Sequence, residues 1–111
     1  MIVHIDFETR SRVDLVKCGV EKYTLDDSFD VMCTVFSVHH TDGSKQKYKC
    51  YGFPFDAPSI EEMEDSDQAW EYLKSLARMR GVKFVAHNAQ FERTVWKNYL
   101  VRKHGFPPIH T

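Results

Sequence analysis

Residues 2–8 read IVHIDFE, and this alternation constrains the chain more than any other feature. Successive side chains of a strand point to opposite faces. Val3, Ile5 and Phe7 therefore share one face, and His4, Asp6 and Glu8 the other. The apolar face demands a core. The acidic face needs either solvent or a compensating charge, because a carboxylate taken out of water is costly. Asp6 and Glu8 lie roughly 7 Å apart along one strand face. That spacing lets two carboxylates share a divalent cation, and oxygen donors of this kind suit Mg²⁺ or Mn²⁺. The plainer reading is that the pair marks the exposed end of a strand.

The rest of the chain supplies partners for that strand. Val31–His39 is rich in β-branched and aromatic residues and reads as a second strand. Asp42-Gly43 supplies a hairpin turn. Lys45–Tyr51 follows as a third strand whose alternating lysines suit a sheet edge. Thr9–Asp30 reads as irregular, with a short helical turn around Val13–Lys22, and Gly52–Ser59 as a loop. Ser59 and Glu62 have the spacing of a capping box, and SIEEMED (59–65) reads as a helical turn. Trp70, Leu73, Leu76 and Ala77 recur at helical spacing, so Asp65–Arg80 is expected to be a helix. Val82–Ala86 is a fourth short strand. A second helix opens at Asn88, carries Phe91, Val95, Tyr99 and Leu100 on its apolar face, and closes at Gly105 before Pro107-Pro108. The expected fold class is α/β: a mixed sheet of three antiparallel strands and a parallel fourth, forming one domain over residues 1–111.

Composition narrows the classes. Fifteen Lys and Arg against sixteen Asp and Glu give a formal net charge of −1, so the chain lacks the overall basic footprint of a non-specific nucleic-acid coat protein. Cys18, Cys33 and Cys50 are odd in number and contain no C-x-x-C pair, which supports neither a disulfide framework nor a zinc ribbon. No apolar run reaches a membrane span's length of roughly 20 residues.

A second acidic stretch gives the first its context. In VAHNAQFERTVW, Asn88 and Glu92 stand four apart at the start of a helix and share a face. By itself this reads as an N-cap and a first-turn acid. Taken with the D-x-E strand, the hairpin and the intervening helix, the chain resembles the DEDD-type 3′–5′ exonucleases, which have a ribonuclease H-like fold. The stretches DFETRS, VDLVKCGVEKYTLDDSFDVM, AHNAQFERTVW and GFPP look most like the proofreading domain of phage-type family A DNA polymerases. The likeness runs along essentially the whole chain and is weakest over residues 40–80.

The resemblance implies that Asp6, Glu8 and Glu92 are catalytic and hold two Mg²⁺ or Mn²⁺ ions, with Asp6 bridging them. It implies substrate-binding roles for Phe7, Thr9, Asn88 and Phe91. It also implies a single-stranded DNA 3′ end as partner and phosphodiester hydrolysis as the reaction, in the cytoplasm of a phage's bacterial host and away from any membrane. Glu92 stands where the wider superfamily has Asp. The family's third motif, a Tyr or His with a final Asp, has no counterpart, since residues 93–111 contain no Asp or Glu. The expectation is therefore a front portion of such a domain, either inactive alone or completed by self-association or by a complementing polymerase chain. His104 and His110 remain in that stretch, but imidazole is a poor Mg²⁺ ligand.

Other residues read more plainly. Arg10, Arg12 and Lys17 could meet phosphates but are expected to be solvated, like Lys97, Arg102 and Lys103. Trp70 and Trp96 are expected in the core. His87 is expected to hydrogen-bond at a strand end. His39 and His40 are adjacent in a strand and so point apart.

Overall fold

A computed structural model describes residues 1–52 and 59–109, apart from the side chains of residues 60, 62 and 63. The expected loop over 52–59, the Glu62 side chain of the expected capping box, and His110 therefore fall wholly or largely outside the described residues.

The strands are β1 (Ile2–Arg10), β2 (Asp30–His39), β3 (Lys45–Tyr51) and β4 (Lys83–Val85). They form one mixed sheet in the order β3-β2-β1-β4. β1 pairs antiparallel with β2, and β2 with β3, while β4 runs parallel to β1. The three antiparallel strands and the parallel fourth are those expected from the order of elements in the sequence. β1 extends to Arg10, past the expected end at Glu8. Its register with β2 slips between Glu8↔Cys33 and Thr9↔Val31, leaving Met32 as the extra residue of a β-bulge. At the hairpin, Gly43 takes φ 89°, its N–H donates to the His40 carbonyl, and Ser44 N–H donates to Asp42 Oδ1 at 2.8 Å.

Helix α1 (Leu15–Leu25) is longer than the helical turn expected there. Asp14 caps it, its Oδ1 accepting from Val16 and Lys17 N–H. Gly19, at φ 84°, kinks it in the middle, and this break in the helical period hid its full length in the sequence. Helix α2 (Ile60–Arg78) joins the expected turn at residues 59–65 and the expected helix into one element. Helix α3 (Ala89–Val95) runs on through a π-helical segment (Trp96–Val101) into a final turn, α4 (Arg102–His104), which ends at Gly105 with φ 69°.

The helices cover one sheet face. Val3, Ile5, Phe7, Phe36, Val38, Cys50 and Phe84 turn inward from the strands, meeting Trp70, Leu73 and Leu76 of α2 and Val95, Trp96, Tyr99 and Leu100 of the last helix. Phe36, Tyr48 and Tyr72 pack ring on ring at 5.0–6.2 Å. Trp96 contacts Phe84 and Phe106 and donates its indole N–H to the Pro107 carbonyl. Trp70 donates to the Tyr51 carbonyl. Both tryptophans are core residues, as expected. Polar bonds tie α1 to the π-helical segment: Asn98 Nδ2 donates to Thr24 Oγ1 at 2.9 Å, in the interior, and to the half-exposed Glu21 Oε2 at 3.1 Å. On the opposite sheet face His4, Asp6, Glu8, Lys45, Lys47 and Lys49 are exposed. No helix of the described residues is long and apolar enough to cross a membrane.

Two positions test this packing. Thr34 is fully buried, and its hydroxyl finds no hydrogen-bond partner among the described residues. Thr34→Val should therefore raise stability by about 1 kcal/mol in urea denaturation. A Cβ added at Gly52 would lie 1.8 Å from the Val31 carbonyl oxygen. Gly52→Ala should lower stability by about 3 kcal/mol in the same measurement.

Candidate metal and nucleic-acid site

The site forms where β1 and β4 part. β4 pairs only with Ile2, Val3 and His4, so β1 continues beyond it with its flank unpaired. Phe7 N–H lies on that stretch and needs an acceptor. Glu92 supplies it: the N–H donates to Glu92 Oε2 at 3.3 Å. The chain leaves β4 through His87, and Asn88 caps α3 by accepting from Phe91 N–H at 3.4 Å. That cap sets the helix rotation, which turns Glu92 back toward β1.

Glu92 is only 6% exposed. Burial, followed by the charge of Asp6, pushes its carboxyl up to about 7, and the Phe7 N–H opposes this only in part. Asp6 thus stands close enough to act electrostatically on Glu92. Glu8 is engaged differently, since its Oε2 accepts from the Cys33 thiol at 3.5 Å. Burial, then the Glu8 carboxylate, raises the Cys33 thiol above its ordinary value. The D-x-E pair and Glu92 therefore share one end of β1, with Glu92 coupled to Asp6 and Glu8 bonded across the sheet. No three His, Cys, Asp or Glu side chains among the described residues gather closely enough to hold a metal ion.

The other expected residues divide. Phe7 is 5% exposed, so its ring belongs to the core and its N–H is what reaches the site. Thr9 Oγ1 is 3.0 Å from the Tyr23 hydroxyl, and the Tyr23 ring lies 6.3 Å from that of Phe91, so Thr9 and Phe91 meet through Tyr23. Asn88 is exposed and serves as the cap. His87 is exposed and lines a cavity of about 490 Å³ with His4, Asp6, Val35, Ser37 and Lys47. Arg10 pairs with Asp30 at 2.9 Å and Lys97 with Glu21 at 2.8 Å, so both cations have local carboxylate partners.

The sequence reading missed Tyr23, Cys33 and Lys47. Cys33 could have been found from the register of the first two strands, which sets it opposite Glu8. Tyr23 carried no signal, because the helical turn expected there stopped at Lys22, whereas α1 runs to Leu25. No family model, curated protein or solved structure matches this chain.

A carboxyl that titrates near 7 when folded, against an ordinary 4.5, binds its proton more tightly in the folded chain. Below the lower value both states are protonated. As pH rises through the interval, only the folded state keeps its proton, so stability falls, by at most about 3 kcal/mol. In chelator, Glu92→Gln keeps an acceptor for Phe7 N–H and removes the charge. It should be more stable than wild type at pH 8 and equal to it near pH 4.5 in urea titrations. A variant less stable at pH 8 would contradict this.

Proposed function

We propose that this chain is a ribonuclease H-like, metal-dependent 3′–5′ exonuclease domain of the proofreading kind in phage-type DNA polymerases, acting on a single-stranded DNA 3′ end. The supporting observation is the meeting of Glu92 with β1 beside Asp6. Two stretches 84 positions apart in sequence, at their closest acids, bring buried and exposed carboxylates to the same strand end. The strand order β3-β2-β1-β4 agrees with this reading. Ligands of open α/β sheets gather outside the carboxyl ends of the strands, and Asp6, Glu8 and the β4–α3 connection lie at that end.

The donor set fits hard divalent cations. All its oxygens are carboxylate, and Glu92 is held above its ordinary pKa by burial and by Asp6, a penalty that a cation between them would reverse. Asp6 and Glu92 would hold Mg²⁺ or Mn²⁺, joined by Glu8 once it leaves the Cys33 thiol. Two such ions would supply Lewis acidity and charge neutralisation at a phosphodiester. The chain's own residues do the rest. Phe7 N–H orients Glu92, Asn88 fixes the start of α3, and Thr9 and Tyr23 offer hydroxyls at the rim for a terminal sugar or phosphate. Phe91 packs against Tyr23 and holds that hydroxyl in place.

A second reading, a catalytically incomplete module that binds nucleic-acid ends or a polymerase partner chain, is favoured by one observation. Among the described residues the acids do not yet form a three-ligand cluster. Digestion of a 3′-labelled single strand in Mn²⁺ or Mg²⁺ separates the two. The exonuclease reading expects release of mononucleotides by wild type and a loss of at least about a hundredfold in Asp6→Ala. No release by wild type, with metal binding intact, leaves the binding module.

A further inference from the structure

β3 is one edge strand of the sheet, and its solvent-facing row is Lys45, Lys47 and Lys49. Register carries these lysines across β2 to β1: Lys47 stands opposite Ser37, which stands opposite His4, and Lys49 opposite Val35, which stands opposite Asp6. The cation row thus runs alongside the acid row on one uncovered face, two strands or roughly 10 Å away. Among the described residues neither Lys47 nor Lys49 has a carboxylate within ion-pair distance. Lys49 lies over the Tyr51 ring, 5.2 Å from its centre.

Beyond these lysines, β3 and α2 enclose a groove of about 620 Å³. Tyr48, Tyr51 and Tyr72 give it flat aromatic walls, and Asp65 and Gln68 of α2 give it hydrogen-bonding groups. Lys47 lines this groove and also the smaller cavity that contains Asp6. The two cavities therefore adjoin at one cation.

We propose that a single-stranded nucleic acid crosses this face, its phosphates on Lys47 and Lys49 and a base in the tyrosine groove, with its end delivered to the Asp6 cavity. The inference rests on the nuclease reading for the direction of the strand, but not for the track itself. Lysines beside stacking rings are the combination that single strands use, because every base has a π-face and every linkage a charge. Asp65 and Gln68 can bond to base edges. An acidic polypeptide could meet the lysines but brings no regular series of flat rings to stack on the tyrosines of the groove.

The test is fluorescence anisotropy with an oligothymidylate of about a dozen nucleotides, in chelator so that no hydrolysis intrudes. The Lys47→Ala/Lys49→Ala double variant alters exposed side chains only, and an unchanged melting temperature confirms its fold. The track expects at least about tenfold weaker binding and a salt dependence of log K shallower by about 1.4, the contribution of two phosphate contacts. Tyr51→Ala should weaken binding without changing the salt dependence. Equal binding by the double variant, no binding by wild type, or displacement by polyglutamate as effective as by unlabelled oligonucleotide would each overturn it. Digestion then separates the two ideas. A double variant that degrades DNA with the wild-type KM removes the track and leaves the nuclease. A wild type that binds through the lysines but never cuts in Mn²⁺ removes the nuclease and leaves the track.

Discussion

One hydrogen bond organises the candidate site of this molecule: Phe7 N–H donating to Glu92. It exists because β4 is short. A longer fourth strand would satisfy that N–H in the sheet ladder and leave Glu92 no reason to enter. The three-residue β4 opens a notch beside β1, and the carboxylate fills it. Burial there raises the Glu92 pKa, and the neighbouring Asp6 raises it further. A buried acid beside a second acid is an unfavourable arrangement in a chain of this size. A cation is the simplest group that would reverse it.

The core holds this notch in place. The apolar side of β1 is pinned by α2 and by the long last helix, whose π-helical segment buries Trp96, Tyr99 and Leu100. Tyr99 donates to Asp30, which also holds Arg10, so the end of β1, the start of β2 and the last helix form one polar clamp. The clamp lies just past the bulge at Met32, where β1 turns Glu8 toward Cys33. The sheet's two faces consequently divide the labour. One is dry and aromatic, and the other carries acids on β1 and lysines on β3.

Much of this was legible in the residues. The period of two in Ile2–Glu8 fixed which side of β1 is buried, and the exposure of His4, Asp6 and Glu8 follows it. The Asp-Gly turn and the lysine alternation located β2 and β3. Helix α1 was legible only as a short turn, because Gly19 interrupts its pattern and because Leu15 and Val16 face solvent, leaving no apolar stripe to detect. The division of α2 into two pieces came from its acidic first half, where few apolar residues mark the period. At the site, convergence of Glu92 on the acid pair was the expectation from the family resemblance, and what is seen is Glu92 on Phe7 N–H within electrostatic reach of Asp6. Its bond to Phe7 N–H, and the Cys33–Glu8 contact, depend on strand ends and register that local pattern does not encode.

We propose Glu92 as a carboxylate that waits for a cation. Its side-chain carboxyl can be followed by ¹³C NMR across a pH titration, with and without saturating Mg²⁺. In chelator it should titrate near 7, and with Mg²⁺ its midpoint should fall into the ordinary carboxylate range. A midpoint that stays where it was, with Asp6 equally unmoved, would contradict the assignment of this strand end as a metal site.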